Sequence, residues 1–360
     1  MKILVTRTDK LGDLVLSLPV FTYLRQARPD LEIHALVAPG NEPLVENLPG
    51  LAGLWTWSVD GTEAETRQLQ QRLAAEGFAA AILLQYRREL ALLLKGAGIG
   101  RRYGPFSRFS SWFLLNRGSW QKRSHSDRHE MDQNLDLARR FLGAAAGGVP
   151  RPEHARVHLG AGQEDLGREF RREYQLGEDY AVFIHPGSGG SALDWPVDRF
   201  AGVANALAAQ EGFHVFITGT AADARVVASL QPLLDGRIRL LVDRYNLRDF
   251  LGVLTGADYF VGPSTGPLHM AAGLGVAAVG IFPPVRTMSP GRWGPRGPLA
   301  EAVTPTVDCP ARRLCRGERC RHFNCLEAIY ERDVLEAVLT LHCNKQAADR
   351  IAGAASEEES

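Results

Sequence analysis

The sequence predicts an α/β protein made of two successive domains, each built around a parallel β-sheet. Its 360 residues are enough for two domains of about 150 residues. Its composition, 45% hydrophobic and 23% charged, is that of a soluble globular chain. Short apolar runs alternate with helical patterns, and the alternation starts again near residue 180, which is typical of parallel strands joined by crossover helices.

The first domain is predicted over residues 1–165. Pro19 falls inside its first helical pattern and predicts a kink there, because proline lacks an N–H group and clashes with the preceding turn. The apolar runs and helical patterns predict strands at 2–6, 32–38 and 79–84 and helices at 14–27 and 63–76.

The second domain is predicted over 178–343, after a charged, helix-like connection that places the boundary within 160–178. The small, acidic residues 344–360 predict a disordered tail. The same periodicities predict strands at 180–185, 214–218, 239–242, 259–262 and 277–282 and helices at 197–210 and 332–343.

Overall charge and hydropathy argue against two broad classes of function. The 41 Lys and Arg residues balance the 41 Asp and Glu residues, so overall charge gives no support for nucleic-acid binding. No segment reaches the roughly 18 uncharged apolar residues of a membrane span. Charged residues from Arg7 onward leave no room for a secretory apolar region, so we expect a cytoplasmic protein.

Four cysteines lie close together near the C-terminal end: Cys309, Cys315, Cys320 and Cys325. A reducing compartment disfavours disulfides. Their spacing lacks the paired CxxC of common zinc modules, although His322 could add a ligand. We expect reduced thiols in a packed loop and no metal, with a metal site as the alternative.

Ligands of open parallel sheets bind beyond the carboxyl ends of the strands, so the loops that follow strands are the candidate sites. The first loop, 7–13, contains Gly12, which permits close backbone approach, and Asp13, which could act as a general base. The alternative is that Asp13 only caps the helix that begins there.

Two more loops follow strands of the second domain. Residues 185–190 read HPGSGG, and their unobstructed N–H groups suit an anion, although an ordinary flexible turn is the alternative. Asp223 follows the next strand, where a carboxylate can accept hydrogen bonds from ribose hydroxyls. It could equally be an exposed residue that starts a helix.

The fourth loop, 262–275, has Ser264 and Thr265 before a helix whose first turn contains Gly266, which predicts a second anion site. We expect His269, one turn into this helix, to be structural. The sequence contains no GxxxxGK[ST] motif, and no GxGxxG follows the first strand, which disfavours P-loop and dinucleotide-binding enzymes. Together the loops suggest a ligand with a nucleoside diphosphate group.

These segments, taken in order, resemble glycosyltransferase family 9, the ADP-heptose:lipopolysaccharide heptosyltransferases. The resemblance rests on R-x-D-x-x-G-D at 7–13, HPGS at 185–188 followed by Trp-Pro, and GPSTGPLHMAAGLG at 262–275, and it spans about 2–338. It implies a GT-B architecture, in which two Rossmann-like domains face each other across a cleft. It also implies an inverting transfer of heptose from ADP-heptose to a lipopolysaccharide-core acceptor, without metal or other cofactor.

The resemblance implies roles for individual residues. Asp13 matches the catalytic base, which takes a proton from the acceptor hydroxyl. Asp223 matches a ribose-binding Glu. Thr265 and Gly266 match the diphosphate-binding turn, and the loop that faces it is lined by His185, Gly187 and Ser188. Ser264 and His269 complete the candidate donor-binding residues.

Two positions depart from the family pattern. Leu193 replaces a Lys that neutralises the diphosphate, and Ser264 replaces an Asp that contacts the sugar. Backbone N–H groups, with Arg286 or Arg292, would then stabilise the leaving nucleotide. The alternatives are a family 9 transferase with another nucleotide-sugar donor and a protein that binds nucleotide or glycolipid without turnover.

Residues 87–128 contain ten Lys or Arg, against Glu89 and Asp127, and include interspersed aromatic residues. This pattern favours a phosphorylated glycolipid at an anionic membrane surface, hence peripheral association with the inner membrane. The alternatives are a solvated face over a core helix and binding of single-stranded nucleic acid. The candidate acceptor-binding residues are Lys10, Gly12, Arg101 and Arg102.

Overall fold

The chain divides after His158 into two units, Met1–His158 and Leu159–Ser360. This computed structural model describes every residue except 122, 124, 125, 191, 192, 312, 313, 359 and 360, and describes the backbone alone over 348–358. Each unit contains a parallel sheet and its own apolar core. The predicted class, two α/β domains with parallel sheets, is therefore confirmed.

The N-terminal unit alternates strands and helices. Its elements are β1 (Lys2–Arg7), α1 (Leu11–Val15), α2 (Leu18–Ala27), β2 (Glu32–Val37), β3 (Leu51–Thr56), α3 (Glu63–Glu76), β4 (Ala80–Leu83), α4 (Arg88–Gly96), β5 (Arg101–Tyr103), α5 (Phe109–Leu114) and α6 (Glu130–Leu142). In the described part of this unit, five parallel strands form one sheet in the order β3-β2-β1-β4-β5. Central β1 and β4 are apolar runs because helices cover both faces of a parallel sheet.

The predicted helix over 14–27 is in fact two helices, α1 and α2, separated at residues 16 and 17. Pro19 lies in the first turn of α2, where its missing N–H would have no partner within the helix. The proline therefore begins a second helix rather than kinking one long helix. The break sets α1 apart as a short element directly after β1.

The C-terminal unit repeats the alternation. Its elements are α7 (Gln163–Glu173), β6 (Tyr180–Ile184), α8 (Val197–Ala208), β7 (Phe213–Gly219), α9 (Ala224–Leu230), β8 (Arg239–Val242), α10 (Leu247–Leu254), β9 (Tyr259–Pro263), α11 (Gly266–Leu274), β10 (Ala277–Ile281), α12 (Pro290–Trp293), β11 (Ala300–Val303) and α13 (Glu331–Glu358). Within the described residues of the unit, six parallel strands follow the order β11-β10-β9-β6-β7-β8.

The stretch 159–177, expected to be a connection, contains α7, which packs into the C-terminal unit. Phe170 is 2% exposed, with its ring 5.1 Å from Phe183 and 4.9 Å from Phe216. Arg171 donates to the Asp258 carboxylate at 2.9 Å. Helix α7 is thus part of the second core.

The last helix, α13, is longer than the predicted 332–343. It packs on α8, β10 and β11, with Val334, Val338 and Leu341 in the core. Residues 344–358, expected to be a disordered tail, continue this helix; the stretch contains no proline and several good helix formers, so extension costs little. Residues 359 and 360 lie outside the described chain.

Within the described residues, no helix has the length and apolar character that a bilayer crossing requires.

Candidate functional site

Asp13 lies beyond the carboxyl end of β1, on α1, beside a buried arginine. Arg7, the last residue of β1, is 3% exposed and donates to the Asp13 carboxylate. It also donates from Nε and Nη2 to the two carboxylate oxygens of Asp9, at 2.6 and 2.9 Å. Because an arginine stays protonated in proteins, Arg7 supplies a permanent positive charge that holds both carboxylates in place.

The other side of Arg7 contacts α6. Its Nη1 donates to Glu130 Oε1 at 3.1 Å and to Asn134 Oδ1 at 3.3 Å. Arg123 also donates to Glu130, which is 2% exposed. The cluster therefore joins the first strand to a helix more than 100 residues away. No local sequence pattern predicts this cluster; the one signal is a charged residue at the end of an apolar strand, which requires a partner without identifying it.

Burial raises the pKa of Asp13 to about 7. Arg7 opposes this rise, while the negative charges of Asp9 and Glu130 add to it. The side chain keeps 18% of its surface exposed, so a substrate can reach it. Helix α1 has Lys10 at its N-cap position and no side-chain cap, so capping does not explain Asp13. A carboxyl that titrates near neutrality is suited to accept a proton.

The candidate acceptor residues separate into two groups. Lys10 is exposed and Gly12 is buried, both beside Asp13. Arg101, at the amino end of β5, donates to the Ala79 carbonyl at 3.3 Å and lies at the opposite edge of the sheet. Arg102 is buried and donates to the backbone carbonyls of Leu114 and Ile99. Among the contacts of the described residues, neither arginine touches the Asp13 cluster, and their predicted acceptor role stays a prediction.

In the C-terminal unit, His185 lies at the carboxyl end of β6, next to β7. Its Nδ1 is 3.1 Å from the Thr218 hydroxyl, and its Nε2 is 3.9 Å from Asp223 Oδ2. Burial lowers the pKa of His185, and the nearby Asp223 carboxylate opposes this only in part. The imidazole is therefore neutral at pH 7, and adds no positive charge to the loop.

Asp223 packs directly against the backbone of Gly187. A Cβ atom at Gly187 would come within 1.9 Å of Asp223 Oδ1, so this contact requires glycine. The other carboxylate oxygen accepts hydrogen bonds from the Thr220 N–H and hydroxyl, both at 2.8 Å. Asp223 thus starts the helical turn, as the structural alternative predicts, but it is 5% exposed and not a surface residue.

The loop after β9 lies beside the loop after β6, because β9 and β6 are neighbouring strands. Thr265 is the N-cap residue of α11, but its hydroxyl donates to the Pro263 carbonyl and does not cap the helix. The first-turn N–H groups of α11, beginning at Gly266, therefore have no side-chain cap. Ser264 is half-buried, and Ser188 is buried in the neighbouring loop. His269 is 3% exposed inside the helix.

Leu193, at the position where the family has a Lys, lies with the four clustered cysteines around one cavity of about 240 Å³. Leu193 lines this cavity and packs on the core of the unit. The cysteines are free thiols, and no group of three or more potential metal ligands is gathered among the described residues. Burial and the neighbouring thiols raise the pKa of Cys325. The four cysteines that line the cavity are Cys309, Cys315, Cys320 and Cys325.

Comparison with known proteins gives a consistent result. The model of glycosyltransferase family 9 (heptosyltransferase) matches residues 66–319, which include the loops after β6, β7 and β9. A Haemophilus influenzae protein named "Putative glycosyltransferase" is 30% identical over 307 residues, covering 82% of this chain and 86% of the relative.

Two solved structures share the fold. The family 9 glycosyl transferase from Veillonella parvula superimposes with a TM-score of 0.82 at 18% identity, over 94% of this chain and 96% of that one. The ADP-heptose lps heptosyltransferase II of E. coli gives a TM-score of 0.76 at 22% identity, over 96% of this chain and 100% of that one. These likenesses confirm the predicted GT-B class with two Rossmann-like domains.

Proposed function

The chain belongs to glycosyltransferase family 9, the heptosyltransferase family, and from this premise we propose that it transfers a heptose from ADP-heptose to a hydroxyl of a lipopolysaccharide-core-like acceptor. The E. coli structure that shares its fold is that of an ADP-heptose lps heptosyltransferase, whose name gives the same donor and acceptor classes. We place the reaction at the cytoplasmic face of the inner membrane, where such a glycolipid would be reached.

The observation that carries the proposal is the state of Asp13. A general base works best when its pKa lies near the pH at which it operates, and burial raises the pKa of Asp13 to about 7. Arg7 fixes the direction of the carboxylate through a charge-assisted hydrogen bond.

In the proposed reaction, the acceptor oxygen attacks the anomeric carbon of the donor sugar. Asp13 takes the proton from that hydroxyl, the new glycosidic bond forms with inversion, and the bond to the diphosphate breaks. ADP leaves with the bonding electron pair. The step needs no metal and no redox partner.

The C-terminal unit would hold the donor. We assign the diphosphate to the uncapped first turn of α11, at Thr265 and Gly266, and to the adjoining loop at Gly187 and Ser188. His185 and Asp223 would support that loop, the latter with one oxygen engaged by Thr220. Arg292, in α12 after β10 with its guanidinium carbon 4.8 Å from the Trp293 ring centroid, is the candidate cation where the family's Lys is replaced by Leu193.

On the acceptor side, Lys10 is exposed beside Asp13 and would bind a phosphate of the acceptor. Gly12, buried next to it, allows the α1 backbone to approach the sugar. Arg101 and Arg102, whose donors engage backbone carbonyls in this structure, stay candidate acceptor-binding residues with weaker support.

A donor screen tests the proposal. Purified protein is incubated with a lipopolysaccharide-core acceptor and a panel of nucleotide sugars, and released nucleotide is measured. We expect release from ADP-heptose, and none when Asp13→Asn replaces the native chain. Release from another donor alone would overturn the heptose assignment and favour the second candidate, a family 9 transferase with a different donor. That candidate has specific support from Leu193 and Ser264, which replace two donor-contacting residues of the family.

A further inference from the structure

An exposed cluster of aromatic side chains lies on α5 and its flanks in the N-terminal unit. We call it the aromatic surface: Phe106, Phe109, Trp112, Phe113 and Trp120. Among the described residues, five Phe or Trp side chains are exposed, and four of them belong to this cluster. Phe109 is 83% exposed and Phe113 is 67% exposed. Such clustering of exposed apolar groups marks an interaction surface.

The fold holds the aromatic surface in place. Ser111 and Leu114 are buried on the inner side of α5, and Tyr86 donates to the Ser110 hydroxyl at 2.7 Å. Phe109, Trp112 and Phe113 occupy the outer side of the same helix. Helix α5 is therefore anchored by its polar and aliphatic residues, and its aromatic residues face water.

The surroundings of this surface are basic. Arg108 directly precedes α5, Arg117 follows it, and both are exposed. The sequence contains no Asp or Glu from residue 90 to residue 126. Aromatic side chains flanked by arginines match the interface of an anionic bilayer, where rings enter the headgroup region and cations pair with phosphate.

Other occupants fit less well. A second copy related by a two-fold axis would bring the same arginines together, and like charges oppose such contact. Single-stranded nucleic acid needs open ring faces for stacking. Here Phe106 stacks on Trp112 with centroids 4.8 Å apart and planes 9° apart, so one face of that indole is already covered. Trp120 packs on the same indole at 5.8 Å.

We propose that the aromatic surface docks the N-terminal unit on an anionic phospholipid bilayer. The biological use of this docking rests on the proposed function, since docking would bring the unit that contains Asp13 to a lipid-linked acceptor. Its evidence, the exposure and charge of α5 and its flanks, is independent of catalysis.

Co-sedimentation with vesicles tests the docking directly. The full chain should bind vesicles of phosphatidylethanolamine and phosphatidylglycerol and should bind phosphatidylcholine vesicles much more weakly. The double variant Phe109→Ser, Phe113→Ser should lose at least about tenfold in affinity, because two side chains that would enter the interface are removed. Phe323→Ser is the matched control, since Phe323 is 53% exposed in the other unit.

The charge contribution has its own pair of variants. Arg108→Gln with Arg117→Gln should weaken binding to the anionic vesicles and reduce its salt dependence, whereas Arg319→Gln, exposed in the C-terminal unit, should not. Circular dichroism and thermal unfolding check that every variant is folded.

Three outcomes would overturn the proposal. The first is wild-type protein that does not bind the anionic vesicles. The second is a double Phe variant that binds as wild type. The third is protein that forms dimers through this surface, or binds a single-stranded oligonucleotide with it, and does not bind vesicles. The aromatic surface would then be assigned to a second copy or to the nucleic acid.

Activity separates this proposal from the proposed function. With an acceptor stripped of its acyl chains, the double Phe variant should transfer sugar as fast as wild type; with acceptor in vesicles, it should be slower. Vesicle binding without transfer from any donor would refute the proposed function and leave the docking surface standing.

Discussion

At the residue scale, the Asp13 carboxylate has the most specific consequence for rate. Asp13→Asn should lower sugar transfer about 10²- to 10⁴-fold, since the amide cannot accept the proton. The wild-type rate should rise with pH through about 7 and level off above it, because only the ionised form is a base. Initial rates of nucleotide release across neutral pH measure both effects. Asp60→Asn, an exposed acid of the same unit, is the control; an Asp13→Asn rate equal to wild type would exclude the base role.

The raised pKa also makes stability depend on pH. In the folded chain Asp13 holds its proton up to about pH 7, whereas an unfolded Asp titrates near 3.8. As pH rises between these values, the free energy of unfolding falls by up to about 1.4 kcal/mol per pH unit. Denaturant unfolding should therefore show that the stability of wild type, relative to Asp13→Asn, falls toward pH 7 and is constant above. A constant difference over the whole range would contradict the raised pKa.

Arg7 is the residue whose loss should damage the fold most within this cluster. Arg7→Met leaves the carboxylates of Asp9, Asp13 and Glu130 close together without their shared cation, at a cost of about 3–5 kcal/mol in the free energy of unfolding. Arg28→Met is the control: its ion pair with Asp30 is exposed and should contribute less than about 1 kcal/mol. Urea unfolding compares the two, and equal losses would refute the buried-cluster interpretation.

At the scale of elements, the sequence predicts a helix best where capping residues mark its ends, and a strand best where an apolar run is buried on both faces. The bounds of α3 are predicted without error, because Thr62 and Glu65 form a capping box and Gly77 adopts a left-handed φ of 67° at its end. Strands β3, β5 and β11 are missed. They are edge strands, short or half-exposed, so their apolar signal is weak.

The residues of the candidate site likewise divide into those with a local sequence signal and those without one. Loops after strands can be found by local chemistry, and Asp13, Gly187 and Thr265 do lie at carboxyl ends of strands. The pairing of Arg7 with Glu130 joins residues 123 positions apart, and no local pattern encodes it. Arg101 and Arg102 are predicted from sequence as acceptor-binding residues, and this stays a prediction. Neither contact nor register follows from a local pattern: Arg101 begins β5, and buried Arg102 donates to backbone carbonyls.

The contact between the loop after β6 and the turn before α9 is the element-scale feature to test. Gly187→Ala would place a Cβ 1.9 Å from Asp223 Oδ1, forcing these segments apart. We expect a loss of about 1–3 kcal/mol in stability and weaker ADP binding. Gly236→Ala is the control, because a Cβ there meets nothing within 4 Å. Thermal unfolding and calorimetric titration with ADP provide the measurements; similar behaviour of both variants would show that the contact is unimportant.

At the scale of the whole molecule, each unit has a separate core, but the position of α7 decides where the second one begins. A fragment of residues 159–360 should fold and bind ADP. A fragment of 178–360 lacks Phe170, which packs on Phe183 and Phe216, and should lose at least about 3–5 kcal/mol. Circular dichroism and denaturant unfolding of the two fragments test this. Equal stability would return 159–177 to the role of a linker.

The position of α13 has a consequence for synthesis on the ribosome. Everything that the N-terminal core needs has been translated by residue 158, so that unit can fold while the rest is being made. The second core includes Val182 and Ile184 from its first strand and Val334 and Val338 from its last helix. While the intervening 150 or so residues emerge at about 5–20 per second, its apolar sheet face stays uncovered, and that interval is when nascent chains are most open to chaperones or to misassociation.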